Sequence, residues 1–341
     1  MLDELKESLP ETETSEDIKE EEKTEDINSL LPEGEVIEKP VEGEEDYAVT
    51  VENARLAFMK KYKNARRNSY IVMGVVLAIA VASVIFIGLK AMVFKIVGWS
   101  LVGTAVVGMI VYYLVTRNIL PSATKEYIQI VNNSLNKRNF QDERFTNVST
   151  DQNEKLELAD PISDHIYKDL NNIASRNVIN GKFLDRQFKE GDMGLYSGAG
   201  KNRRSLFVGK YVCLPNDLHF ENRYILVKKG ESAVDLPDDL DDIKVLHDED
   251  GLMIYGPDKG KFETDLGKDF IKKIKAIAVE KHLLNLNVVI WSGHSSAYLS
   301  YDDVIMTLPF DKEFNKEPNE QYAKNLVNVF EAFALLLKKE K

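Results

Sequence analysis

Two uninterrupted apolar runs, separated by one short basic break, constrain this chain more than any other feature. Ser69 to Leu89 reads SYIVMGVVLAIAVASVIFIGL and Ile96 to Thr116 reads IVGWSLVGTAVVGMIVYYLVT; each has 21 residues and no charge. A helix of that length crosses a hydrocarbon core of roughly 30 Å. Lipid offers the backbone no hydrogen bonds, so an isolated pair of spans is expected to be α-helical. Small residues repeat every fourth position, as Gly74, Ala78 and Ala82 on the first run and Ser100, Thr104 and Gly108 on the second. That spacing lets helix backbones approach closely, so these six positions are expected to form the seam of a helical hairpin. With no ionisable group in either run, no ion or proton pathway is expected within them.

Charge around the runs sets an expected orientation. Lys60, Lys61, Lys63, Arg66 and Arg67 precede the first run, and Arg117, Lys125, Lys137 and Arg138 follow the second. Only Lys90 and Lys95 lie between them. Loops rich in Lys and Arg stay cytoplasmic. Both termini are therefore placed inside, with a tight turn outside, in a two-span protein of the cell membrane. The basic cluster before the first run also suits anionic lipid headgroups.

The formal charge of −12 is unevenly spread. Residues 1–46 carry −15, which leaves +3 for the remainder. Stretches such as ETETSEDIKEEEKTEDINS have almost nothing apolar to bury, so residues 1–46 are expected to be a disordered acidic tail. Such a tail serves as a spacer or as a contact for basic partners. The apolar run begins near residue 69, so no secretory signal is expected. One cysteine, Cys213, excludes an internal disulfide and is compatible with a reducing compartment.

Residues 47–68 read as a juxtamembrane helix with Val51, Arg55, Phe58 and Tyr62 on one face, leading into the hairpin at 69–116. Pro121 reads as a helix boundary, after which Ile128, Val131 and Leu135 share a helical face. Asp160-Pro161 opens a short helix with Ile162, Ile166 and Leu170 in register. Beyond Gly181 the texture changes to strands: MGLYS, SLFVGKYVCL, RYILVKK, IKVL, LMIYG, NVVIW and AYLSY. An acidic loop, Asp235 to Asp242, divides them. Two amphipathic helices carry Phe262, Leu266, Phe270, Ile274 and Ile277, and then Tyr322, Leu326, Val329, Phe330, Phe333 and Leu337. The expected architecture is α+β: a two-helix transmembrane hairpin followed by a soluble mixed domain over 117–341.

Candidate chemistry is sparse. GLYSGAGK, Gly194 to Lys201, has five residues between its glycines and Asn202 after the lysine, unlike a phosphate-binding loop. It reads as a hairpin turn, with Lys201, Arg203 and Arg204 as a basic patch for an acidic partner. HDEDG, His247 to Gly251, lacks calcium-loop spacing and reads as a turn. SGHSS, Ser292 to Ser296, has no nucleophile elbow and no identifiable acid partner for His294. His165, His219, His247, His282 and His294 are scattered, and no zinc site is expected. Asp302 and Asp303 follow a strand and could bind a cation.

The order of elements resembles a family of bacterial two-span membrane proteins known as domain of unknown function 3137. The stretches that carry the resemblance are Phe207-Val208-Gly209-Lys210-Tyr211, then His219 to Val227, then Val245 to Asp258, followed by a helix and by paired strands before the last helix. The similarity spans about residues 55–338, and the acidic tail and HDEDG depart from the family pattern. The resemblance implies an α+β cytoplasmic domain on a membrane hairpin and supplies no catalytic residues.

These features favour a non-enzymatic, membrane-anchored cytoplasmic module that binds a protein or lipid partner at the bilayer, without a cofactor and without nucleic acid. The alternative is an enzyme at the inner membrane surface whose groups, His294 and Asp302 among them, converge only in the fold.

Overall fold

A computed structural model describes residues 35–36, 46–89, 91–151, 154–198, 200–218, 223–229, 244–249, 251–258, 260–301, 310 and 312–337. The acidic loop 235–242, His219, Asp302 and Asp303 lie outside these residues, as do the side chain of His247 and most of the acidic tail. Residues 34–341 form one unit. The tail is not wholly unstructured as expected, because Glu35–Val36 form a strand (β1) that pairs with Ser149 and Thr150.

Helix α1 runs over Tyr47–Gly88 and α2 over Met92–Asn139. Each holds a segment long and apolar enough to cross a membrane. The expected break at Pro121 is absent, and α2 passes through it. The proline removes the hydrogen bond to the Arg117 carbonyl, a loss of roughly 3 kcal/mol. Tertiary packing just beyond compensates: Ala123, Tyr127, Val131 and Leu135 are buried against Val51 and Phe58 of α1. Phe58 stacks on Tyr127 at 5.1 Å between centroids. Ile128, expected on this face, points outward. Residues 47–68 and 117–139 thus form a helical stalk about 33 Å long, continuous with the apolar segments.

The seam between the apolar segments differs from the expected one. Gly74, Ala78, Ser100, Thr104 and Gly108 face outward, and a Cβ at Gly74 or Gly108 would meet nothing within 4 Å. Close approach occurs instead where Gly98 meets Ser83 and Ile87. A Cβ on Gly98 would lie 2.6 Å from the Ile87 side chain and 3.0 Å from the Ser83 carbonyl. Ser83 is buried there, Ala82 beside it in the chain is half-buried, and Ala105, about two turns further along α2, is also buried. Small residues still make the contact, but the short turn between the helices sets which ones meet. Ser69 Oγ and Tyr112 OH close the other end by a hydrogen bond.

Ten strands among the described residues form one antiparallel sheet in the order β1-β2-β3-β4-β5-β10-β9-β6-β8-β7. They are β2 (Phe145–Asp151), β3 (Asn172–Phe183), β4 (Arg186–Ser197), β5 (Arg204–Leu214), β6 (Tyr224–Lys228), β7 (Lys244–Glu249), β8 (Leu252–Gly256), β9 (Leu283–Trp291) and β10 (His294–Tyr301). GAGK is a hairpin connection, as read, with Gly198 and Gly200 at positive φ. HDEDG is less turn than expected, since β7 runs through Glu249.

Side chains alternate across the sheet, which gives it two packed faces. One face meets α4 (Phe262–Leu266), α5 (Lys268–Ala278) and α6 (Glu317–Leu337), burying Phe270, Ile274, Tyr322 and Phe330 on Leu226 and Val288. The expected single helix over 262–277 is split at Gly267, whose φ of 86° suits glycine alone. The other face packs Met193, Phe207, Tyr211 and Tyr298 under Leu156, Ile166 and Tyr167 of the segment around α3 (Ala159–Asp164). The helix expected from Asp160 to Leu170 ends at His165, which is left-handed at φ 56°.

Beneath α6 a buried ion cluster crosses β4 and β5. Lys210 Nζ lies 2.6 Å from Asp192 Oδ1 and 3.1 Å from Glu190 Oε1. Tyr322 donates to Glu190 at 2.5 Å. Burial pushes the Glu190 carboxyl up, against the pull of Lys210. Burial disfavours the Lys210 ammonium, but the two carboxylates outweigh it and raise its pKa.

Candidate functional site

The stalk meets the sheet domain at a junction rich in paired charge. Tyr47 at the start of α1 donates to Glu320 of α6 at 2.6 Å, and Arg138 near the end of α2 donates to the same carboxylate at 3.0 Å. Burial works against the Glu320 charge, but Arg138 and Tyr47 outweigh it and hold its carboxyl below the usual range. Asn136 and Asn177 exchange side-chain hydrogen bonds at 2.9 and 3.3 Å, fixing α2 to β3. Arg55 reaches the Phe310 carbonyl at 3.1 Å, and Glu52 accepts from the Phe314 amide at 3.1 Å. Beside this junction lies an open groove of about 1010 Å³, lined by Arg138, Asp142, Arg144, Glu320, Lys324 and Val327. Arg144 pairs with Asp142 at 2.8 Å and with Glu331 at 2.7 Å. The wall therefore combines side chains of both charges with the apolar Ala323 and Val327.

A second cluster lies on the opposite sheet face. Asp164 at the end of α3 is fully buried. It accepts from Tyr298 OH at 2.6 Å, Ser296 Oγ at 2.7 Å and Trp291 Nε1 at 3.2 Å. All three contacts donate to the carboxylate. His294 Nε2 is 3.0 Å from Asp164 Oδ1, an ion pair whose angle falls short of a hydrogen bond. On its other side, His294 Nδ1 is 3.8 Å from Cys213 Sγ. Burial disfavours the imidazolium, but Asp164 and Cys213 outweigh it and push the His294 pKa up to about 10. Asn216 locks the position by donating to the His294 carbonyl at 2.7 Å and to Ser295 Oγ at 2.8 Å. Stacking on Trp291, with centroids 4.8 Å apart, fixes the ring plane.

Sequence reading singled out His294 and found no acid partner for it. The partner is Asp164, 130 residues upstream by number, and the thiol beside it is Cys213 on β5. The one available signal was alternation, which puts Tyr211 and Cys213 on one face of β5 and His294, Ser296 and Tyr298 on the matching face of β10. Nothing local pointed to Asp164.

Lys60, Lys61, Lys63, Arg66 and Arg67 are all exposed on α1. Lys61 pairs with Glu126 at 2.6 Å, and Arg66 donates to Tyr70 OH at 3.1 Å. Lys201, Arg203 and Arg204 are exposed around the β4–β5 connection, where Arg203 lies 3.6 Å above the Tyr196 ring. Neither basic group joins the groove or the Asp164 cluster. Among the described residues, no three His, Cys, Asp or Glu side chains are placed to hold a metal ion.

No protein-family model matches the chain. A search of the curated proteins gave no match. Among solved structures, the chain is similar to the mycobacterial trehalose monomycolate transport factor A, with a TM-score of 0.37 and 12% identity over 60% of this chain and 94% of that one. A likeness of that size carries no argument about function.

Proposed function

We propose that this chain is a membrane-anchored display module, a bacterial member of the two-span family it resembles. In this reading α1 and α2 cross the membrane as a hairpin with both ends cytoplasmic. They hold the α+β domain close to the bilayer, where the groove beside α6 receives a protein partner. One observation carries the reading. The helices that contain the apolar segments continue without a break into the domain and are tied to it through Tyr47, Arg138, Glu320, Asn136 and Asn177. A flexible tether would serve a diffusing enzyme as well, whereas a rigid stalk fixes the distance and orientation of a surface. The exposed Lys60 to Arg67 cluster supports the inward orientation and suits anionic headgroups.

The test is a photo-crosslinking side chain placed at Lys324 or Gln141 in the groove and, separately, at Leu284 on β9, in native membranes. Adducts to one protein from the groove positions alone support the reading. Equal adducts from all three positions, or none above background, contradict it.

A second reading, an enzyme at the inner membrane surface, has one observation in its favour: Cys213, His294 and Asp164 stand in line.

A further inference from the structure

We propose that Cys213 is a nucleophile, charged by His294 and oriented through Asp164, that takes up an activated acyl group or a comparable carbon electrophile. This inference is independent of the groove and of any partner there. It rests on three observations.

The first is the order of groups: thiol, imidazole and carboxylate follow one another at 3.8 and 3.0 Å. A nucleophile next to a base that a third group orients is the arrangement that activates cysteine. The second is rigidity. Asn216 and Trp291 fix the His294 backbone and ring, and Ser296, Tyr298 and Trp291 fix the carboxylate. The third is the Tyr211 hydroxyl, which is fully buried on the same face of β5 and has Cys213 as its neighbour there. Burial raises its pKa most, and the neighbouring Cys213 raises it further. A buried hydroxyl beside the sulfur is a donor that can turn from the thiol to an oxygen that becomes negative on attack.

Cys213 is half-buried, at the edge of the cluster that holds Tyr211 and Tyr298. Charged and titratable groups around it are Asp160 and Asp164 from α3, Lys189 across β4, Tyr211 on β5 and Tyr298 on β10. Arg223 lies over Trp291 at 5.9 Å.

On attack the thiol proton passes from Sγ to His294 Nδ1, which acts as the adjacent base. In acyl transfer Sγ forms a bond to the carbonyl carbon. The bond from that carbon to the leaving group breaks, and the leaving group departs with the proton from Nδ1. The product is a thioester on Cys213 and the protonated leaving group, with no oxidant or reductant needed.

Because the chain has a single cysteine, alkylation of the full protein reports on Cys213 alone. The probe is iodoacetamide at pH 6, on the folded protein in lipid nanodiscs and on the same chain unfolded in denaturant. An ordinary thiol is roughly 0.3% ionised at that pH. A full ion pair raises the reactive fraction over a hundredfold, and the weaker nucleophilicity of a more acidic sulfur returns about a factor of ten. The expected folded rate is about tenfold above the unfolded rate. His294→Gln is expected to bring the folded rate to the unfolded one or below it. A wild-type folded rate at or below the unfolded rate overturns the proposal, whatever the variant does. A folded His294→Gln protein that reacts as fast as wild type overturns the role of His294.

Discussion

Replacing Lys210 with methionine is expected to destabilise the sheet domain by about 3–5 kcal/mol, the cost of leaving buried charge unpaired. Lys210 stands directly across from Asp192 in the β4–β5 register, and Glu190 lies on the same face two residues away. Its side chain is 5% exposed, and those of Glu190 and Asp192 are 1% and 8% exposed. Methionine fills a similar volume, so the loss is electrostatic rather than a cavity. Without the ammonium, two carboxylates share one site and only the half-exposed Arg176, 3.1 Å from Asp192, remains as a cation. A domain stability of about 5–15 kcal/mol would lose a large fraction of itself. The sign with pH follows. In the wild type the raised Lys210 pKa gives a contribution fully present below the unfolded value of 10.5 and lost only as pH rises through the folded one. In the variant, protonation of a carboxylate relieves the repulsion, so the deficit is expected to shrink from pH 7 to pH 5. Denaturant unfolding in detergent micelles at both pH values measures it. A deficit under 1 kcal/mol at pH 7, or one that does not change with pH, refutes the reasoning.

Gly98→Val is expected to cost about 1–3 kcal/mol through overpacking against Ile87 and Ser83, read as a lower melting temperature in micelles. Gly74→Ala and Gly108→Ala, with open space at the Cβ, are expected to leave it unchanged. Glu320→Gln is expected to cost roughly 1 kcal/mol, since its partners are partly solvated, with faster hydrogen exchange at the start of α6. That contribution is present above the unfolded carboxyl pKa of 4.5 and is lost as pH falls through the lowered folded value. His294, with its pKa raised to about 10, is expected to be protonated at pH 8 by nuclear magnetic resonance, and a neutral ring there contradicts the ion pair. Its contribution is complete below the unfolded pKa of 6.5 and falls away as pH climbs toward about 10.

What the sequence revealed follows from the range of the forces involved. The apolar runs, α6 and strands β5, β9 and β10 were legible because their patterns are local and periodic. Strands β2 and β3 were not: polar residues such as Thr146, Asn147, Ser175 and Asn177 interrupt them, and bulges at Thr146/Ser149 and Arg176/Ile179 break the alternation. Pro121 misled because its local cost is offset by tertiary packing of Tyr127 and Val131. The hairpin seam was read in the right residue class but the wrong register, since every fourth residue recurs on more than one helix face. Of the Asp164 cluster only His294 was visible beforehand; what joins it to Asp164 and Cys213 is sheet order and the placement of α3, which no local pattern carries.

The account rests on a hairpin that holds the domain at the cytoplasmic face, and side-specific labelling tests this most directly. In a Cys213→Ser background, single cysteines replace Ala91 in the turn between α1 and α2, and Lys324 on α6. A membrane-impermeant maleimide is then applied to intact cells. The account expects labelling at position 91 in intact cells and at position 324 only after permeabilisation. Labelling at 324 with silence at 91 would place the domain on the outer face and contradict the account. Labelling of neither position until permeabilisation would show that the hairpin does not cross the membrane.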